Sequence, residues 1–354
     1  MTFLAILISL GLAESPAPKI QKERQEIGPV YAAPLKYKGH MIFLASTGGL
    51  YESTFEQKNL KSLFRSKLPT VAQPVIYGDI VYFGDGLHDN TESNLYAYDL
   101  KKNKLVFSVS VSGHIEKAVK IVDEKIITGL GPAGVAAFDM KTGKTLWHTK
   151  EYNGKKLHVD SEPIIDGDKF YIGSIYEHKA IIALNVADGS VIWNVPLEKS
   201  PKMDLVLEKR KLVGLSTEAG LMEEKRDVPS DFFVVDKSGK LLIQKELRGA
   251  NFFPQLIKKN AAFVSLMTGD VISIDLDSGK VTVIDQYPEP FIATTFTNGG
   301  ANCAVSFMGR LACYKNGKSF LKKDLGEQVI GRISPDMAGK VYLPTRVGYY
   351  ILKL

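Results

Sequence analysis

Six histidines, two cysteines and a scatter of loop carboxylates are the side chains of this chain best suited to chemistry. The histidines are His40, His88, His114, His148, His158 and His178. None stands in a His-x-His or His-Glu-x-x-His unit, the spacings that bring two imidazoles onto one metal ion. Each is expected as a loop or turn residue, and no metal site is expected. Residues 86–94 offer oxygen ligands at Asp89, Asn90 and Glu92. They lack the regular spacing of a calcium loop, so the segment is expected as solvated loop. No Gly-x-Ser-x-Gly occurs, which removes the hydrolase nucleophile elbow. Gly129-Leu130-Gly131-Pro132 precedes no helical pattern, so a phosphate cradle is not supported. No catalytic residue, no cofactor and no enzymatic activity are expected from these patterns.

The cysteines are Cys303 and Cys313, flanking a hairpin turn at Met308-Gly309. That turn sets them opposite each other on neighbouring strands, close enough to bridge. Two buried thiols acting as small apolar residues are the alternative. Their spacing fits neither a redox motif nor a zinc site.

The elements that must position these groups come from a repeat. A pattern of Ala-x-Asp/Asn-x-x-Thr/Asp-Gly-x-x-x-Trp recurs about every 40 residues. It is clearest from Ala137 through Asp139, Gly143 and Trp147, and from Ala183 through Asn185, Gly189 and Trp193. Weaker copies run through Asp99 and Asn103, Asp236 and Gly239, Asp275 and Gly279, and Tyr314 and Gly317. A degenerate first copy has Glu56, Asn59 and Phe64. Phe107, Ile243 and Val283 take the Trp place elsewhere. Gly or Asn in the turn accepts positive φ, the carboxylate or amide before it accepts backbone N–H groups, and the Trp is placed to pack between neighbouring units.

Two strand-like runs precede each copy, joined by a tight turn at Gly39-His40, Gly78-Asp79, Asp123-Glu124, Gly167-Asp168, Lys209-Arg210, Lys259-Asn260, Gly299-Gly300 and Ala338-Gly339. Four short strands per unit, eight times over, predict an all-β fold: an eight-bladed β-propeller of four-stranded antiparallel blades. The last unit stops early, so residues 25–30 are expected to supply its missing strand and close the ring, which removes exposed sheet edges. The propeller is expected to occupy residues 25–354 as one domain.

The segments from Ala137 to Trp147 and from Ala183 to Trp193 resemble the tryptophan-docking repeat of quinoprotein-type (PQQ-like) propellers. The resemblance covers nearly all of the chain after residue 25. One branch of that superfamily is the quinone-dependent dehydrogenases, which are longer and many of which carry adjacent cysteines; here Cys303 and Cys313 are ten apart. The other is the non-catalytic eight-bladed BamB type of the outer-membrane β-barrel assembly machinery, which agrees in length and unit count. In that type an Asp-Val-Asp-x-x-Pro stretch contacts the barrel-forming partner. Here the place reads His158-Val159-Asp160-Ser161-Glu162-Pro163, with His158 for the first Asp. The family's Leu-x-Leu-Arg loop corresponds to Ser112-Gly113-His114-Ile115-Glu116-Lys117, which does not match. The resemblance implies a protein-interaction scaffold in the cell envelope, with outer-membrane assembly proteins as partners and Asp160 as a contact. A quinone- or carbohydrate-binding enzyme using the central funnel is the alternative it leaves open.

Composition agrees with a folded chain that does not target nucleic acid. The apolar fraction is 45%, and the net charge of +6 comes from 45 basic and 39 acidic residues spread along the chain. Residues 1–13 form an apolar run too short to span a bilayer, with Gly11 and Ala13 suited to signal-peptidase cleavage. A signal peptide, a polar linker over residues 14–24 and a periplasmic location are expected. No Cys follows that site for lipid attachment, so membrane association is expected only through partners, and the protein is expected to be a monomer. The fifth unit carries an insertion over residues 216–230. Insertions in repeat proteins fall on one face, often the binding face. Glu218, Leu221, Met222 and Arg226 are therefore expected as partner contacts.

Overall fold

In the computed structural model the chain is described at residues 20–21, 27–54, 60–220, 224–253, 255–291, 293–298, 300–334 and 340–353. Among these residues it forms seven four-stranded antiparallel sheets in strict sequence order. They cover residues 35–65, 75–112, 120–149, 164–196, 206–248, 256–286 and 293–324. A three-stranded sheet joins Lys340–Thr345 and Gly348–Lys353 to Ile20–Gln21. The arrangement is that of a β-propeller. A 3₁₀ turn at Tyr176–His178 is the one helical element among the described residues. Among them no helix is long and apolar enough to cross a membrane.

Alternation along the strands explains how the sheets stack. In the fourth sheet Phe170, Tyr171 and Ile172 are consecutive and all fully buried. Phe170 and Ile172 pack with Ile127, Val135 and Ala137 of the third sheet. Tyr171 points the other way, onto Phe233 and Val235 of the fifth. Successive side chains of a strand face opposite sides, so a strand between two sheets reads as a continuous apolar run. The fourth strand of each sheet lies outermost and carries exposed residues, as in Lys104–Ser112 and Lys318–Asp324. A further cluster joins the two ends of the chain: Ile27, Val30, Met41 and Phe43 pack with Tyr342, Tyr349 and Ile351.

The repeated motif has a clear geometry. In each of the seven four-stranded sheets the pairing of the third and fourth strands contains a register shift. Ala137 lies opposite Trp147, Ala183 opposite Trp193 and Ala97 opposite Phe107. The Asp139 carboxylate accepts the N–H groups of Lys141 (3.1 Å) and Thr142 (2.8 Å) and the Thr142 hydroxyl. Asp275 does the same with Asp277, Ser278 N–H and the Ser278 hydroxyl, while Asn185 accepts from Ala187 and Asp99 from Lys102.

These turns dock onto the preceding sheet. Trp147 donates its indole N–H to the Val186 carbonyl at 3.1 Å and lies over Gly189 of the next turn. Trp193 donates to the Lys237 carbonyl at 3.1 Å and lies over Gly239. Phe107 covers Gly143, and Ile243 covers Gly279. Gly143, Gly189 and Gly279 all have positive φ, at 73°, 72° and 68°. The turn glycine thus serves both the backbone and the large side chain of the neighbouring sheet that covers it. Both tryptophans are half-buried rather than enclosed.

Several boundaries differ from the sequence expectation. The strand that pairs with the C-terminal hairpin is Ile20–Gln21, set against Leu352 and Ile351, upstream of residues 25–30 and inside the stretch expected as linker. Residues 27–31 instead run alongside the last sheet, where Val30 N–H meets the Thr345 carbonyl and Arg332 N–H the Tyr31 carbonyl. The first hairpin turns at Lys38-Gly39, both at positive φ as a type I′ turn requires. Residues 92–94, expected as loop, open the strand Glu92–Asp99. The insertion is shorter than its sequence suggests, because Ser216 and Thr217 extend Lys211–Thr217 while Pro229 and Ser230 begin Pro229–Asp236. Residues 1–13, the turn at Ala338-Gly339 and the first copy's Glu56 and Asn59 lie outside the described residues.

Cys303 and Cys313 are directly paired across two strands and joined by a disulfide. The loop it closes is short, with a sequence separation of 10. Chain-entropy arguments assign such a loop about 2–3 kcal/mol of stabilisation. We expect Cys303→Ser to lower the denaturant midpoint accordingly, and thiol alkylation under denaturing, non-reducing conditions to label neither cysteine of the wild type. Labelling of both would contradict the bond.

Candidate functional site

Antiparallel sheets in sequence order sort their connections onto two faces. The loops between second and third strands share one face with the links from sheet to sheet. That shared face collects the loop holding His88, the links holding His114 and His158-Val159-Asp160, the loop holding Tyr176, the link holding Ser200 and the loop holding Glu218.

His114 is the buried centre of this face, 1% exposed. A methyl group added at Gly131 would stand 2.3 Å from its ring, so the imidazole is wedged against that glycine backbone. Gly131 and Val159 exchange backbone hydrogen bonds at 3.2 and 2.9 Å, which fixes the Asp160 segment beside His114. His114 Nε2 lies 3.0 Å from Asp160 Oδ1, and His158 Nε2 lies 3.0 Å from Asp160 Oδ2. His88 reaches in from the neighbouring loop, with ring centroids 5.9 Å from His114, and its Nδ1 pairs with Glu116 at 3.2 Å. Burial alone would lower the His114 pKa; Asp160, with smaller help from Glu116 and the Asn90 backbone, outweighs it and the net shift is upward. Burial would raise the Asp160 carboxyl, but the hydrogen bonds from His114 and His158 hold it well below the usual range.

The site continues towards the fifth sheet. The Tyr176 ring meets His158 edge-on at 4.8 Å. Tyr176 is 53% exposed and holds φ at 60°, a conformation uncommon for a bulky residue. Its N–H donates to Ser200 Oγ at 3.4 Å. Ser200 N–H donates to Glu218 at 3.0 Å, and Lys179 pairs with the same carboxylate at 2.9 Å. Burial first, then the Asp160, Glu218 and Glu116 carboxylates, raise the Tyr176 hydroxyl pKa. Strained backbone under an exposed aromatic ring is a mark of functional surfaces.

On the axis, Lys120, Glu162, Asp204, Thr294, Thr295 and Arg332 line a cavity of about 400 Å³. Its charges are paired with one another. Arg332 pairs with Glu162 and with Asp204 (2.9 Å), Lys120 pairs with Glu162, and Lys117 with Asp204 (3.2 Å). Asp204 also accepts the Glu162 N–H at 3.0 Å. Burial would raise the Asp204 carboxyl, yet the Lys117 and Arg332 cations hold it below the ordinary range.

Of the expected contacts, Asp160 lies at the centre of the histidine cluster and Glu218 at its far end. Arg226 is elsewhere, donating to the Pro288 carbonyl at 3.3 Å in the link before the seventh sheet. Leu221 and Met222 lie outside the described residues. The histidine grouping was not legible in the sequence, because its members come from one loop and two different links and no short motif spans them. The axial network was missed for the same reason: Asp204 and Arg332 are 128 residues apart.

Comparison with known proteins gives three findings. The family model described as outer membrane protein assembly factor BamB matches residues 57–282, more than half of the chain. The uncharacterized protein RP232 of Rickettsia prowazekii is 22% identical over 200 residues, and the match spans 43% of this chain and 46% of that relative, about half its length. Among solved structures, BamB from Moraxella catarrhalis superposes with a TM-score of 0.71 at 13% identity, covering 94% of this chain and 97% of that one. A quinohemoprotein alcohol dehydrogenase from Comamonas testosteroni gives 0.69 at 15% identity, covering 93% and 72%. At these identities the superpositions speak for the fold alone.

Proposed function

The chain belongs to the outer membrane protein assembly factor BamB family, and from that premise we propose that it is a non-enzymatic interaction scaffold of the cell envelope. In this reading the sheets form an eight-bladed ring whose last blade is completed by the strand at Ile20–Gln21. The protein works in the periplasm as a monomer and engages outer-membrane assembly proteins through the face that carries Asp160, Tyr176 and Glu218. Arg226 belongs to a separate part of that rim.

The observation that carries the non-enzymatic reading is the axial network. A quinone with its cation would need carboxylate, amide and basic groups converging with valence to spare. Among the described residues the carboxylates that line the axial cavity, Glu162 and Asp204, are already held by cations, with Arg332 lodged between them. The described residues of the cavity do not fit that group.

An affinity capture from envelope extracts of the source cell tests the reading. The wild type is expected to recover a barrel-forming assembly component, and the Tyr176→Ala/Glu218→Lys variant to lose most of it while melting normally. Recovery of no such component by the wild type would overturn the assembly role. A quinone absorbance that appears on reconstitution would overturn the non-enzymatic one.

A further inference from the structure

We propose that His88, His114 and Asp160 form a site for a divalent transition-metal ion of the zinc class, bridging one loop and the two links that follow it on the interaction face. One ring nitrogen of each histidine and one carboxylate oxygen of Asp160 lie within 4.8 Å of one another. Two imidazoles and one carboxylate are a donor set that suits zinc and its neighbours rather than calcium or magnesium.

The three ligands differ in mobility in a way that favours capture. His114 is buried and wedged against Gly131, and its Nδ1 has no hydrogen bond of ordinary geometry among the described residues. Asp160 is held by His158 on its other oxygen. Tetrahedral zinc with bonds of about 2.0–2.1 Å sets its ligand atoms about 3.3 Å apart, so the group must contract by roughly 1.5 Å at most. His88 can make that movement, since its side chain is 68% exposed on a surface loop. Supporting contacts are also in place. Glu116 engages His88 Nδ1 and leaves Nε2 as the ligand atom, the carboxylate–histidine arrangement that orients metal-bound imidazoles. His158, beside Asp160, either orients that carboxylate or completes the fourth position.

The ion would tie the second, third and fourth sheets together beside Tyr176. The inference goes beyond the scaffold role and does not depend on it, because metal uptake is read on the isolated protein without any partner. The test is calorimetric titration of the tag-free, metal-depleted full chain with Zn²⁺, with Co²⁺ absorption as the geometric probe. One ion per chain is expected, with a tetrahedral cobalt spectrum. His88→Ala and Asp160→Asn should each weaken binding by tenfold or more. His88→Ala should leave the melting temperature of the metal-free protein unchanged, because His88 is exposed. His40→Ala removes an exposed histidine from the opposite face and should bind as the wild type does. Wild-type binding no tighter than millimolar, or undiminished binding by His88→Ala, would overturn the proposal.

Discussion

Arg332→Ala is expected to destabilise the protein by about 2–3 kcal/mol through the loss of its ion pairs alone. Removing one member of a buried ion pair leaves its partners without compensation, which typically costs about 3–5 kcal/mol. Two features reduce that figure here. About a quarter of the Arg332 side chain stays exposed, so solvent screens part of the interaction, and Lys117 and Lys120 remain beside the two carboxylates. The loss should appear as a lower urea midpoint with an unchanged slope.

The same network sets an acid limit. Asp204 is held below its unfolded pKa, so its contribution is fully present above the ordinary carboxylate range and is lost as the pH falls below about 4. Arg332→Ala withdraws one of the cations responsible for that depression. The gap in stability between wild type and variant should therefore be widest near neutral pH and narrow towards pH 3. A gap that is constant with pH would refute the assignment of Asp204 as the titrating partner.

Gly189→Ala is the second large effect, expected at about 2–5 kcal/mol. The residue holds φ at 72°, and a methyl group there would stand 2.5 Å from Trp147 Cε3. Backbone strain contributes about 1–2 kcal/mol and the clash about 1–3. Trp147→Ala alone is expected to cost about 2–3 kcal/mol, less than full burial would give, because the ring is half-buried. Combined, the two should fall short of additivity by about 1–2 kcal/mol, since removing the ring removes the part of the clash that it makes and leaves the Thr149 hydroxyl 2.6 Å from the added methyl. Urea unfolding of both single variants and the double variant closes the cycle. Simple additivity would show that the ring and the glycine do not act as a unit.

The docking role of the motif was readable because all its parts are local. Asp139, Gly143 and Trp147 lie within one turn and one strand, where the short range of hydrogen bonding and φ preference suffices. That the Trp packs against a neighbouring unit was expected, but which residue of that unit receives it was not readable. That Trp147 rests on Gly189, one repeat onward, follows only once the sheets are stacked. The register of the N-terminal strand was misplaced by several residues because a two-residue strand at Ile20–Gln21 carries no alternating pattern of its own; its partner is the C-terminal hairpin.

The candidate site divides the same way. Asp160 was visible through a resemblance over one short stretch, and Glu218 through an insertion. His114, Tyr176 and Arg332 carried no signal, since an isolated His, Tyr or Arg in a loop reads as a solvated residue. By itself the sequence determined the all-β class, the repeat and the turns, because a 40-residue period records how each unit folds on its own. Only the tertiary structure decided which loops share a face and which charges meet on the axis. Those contacts join residues tens to more than a hundred positions apart, and no local periodicity encodes them.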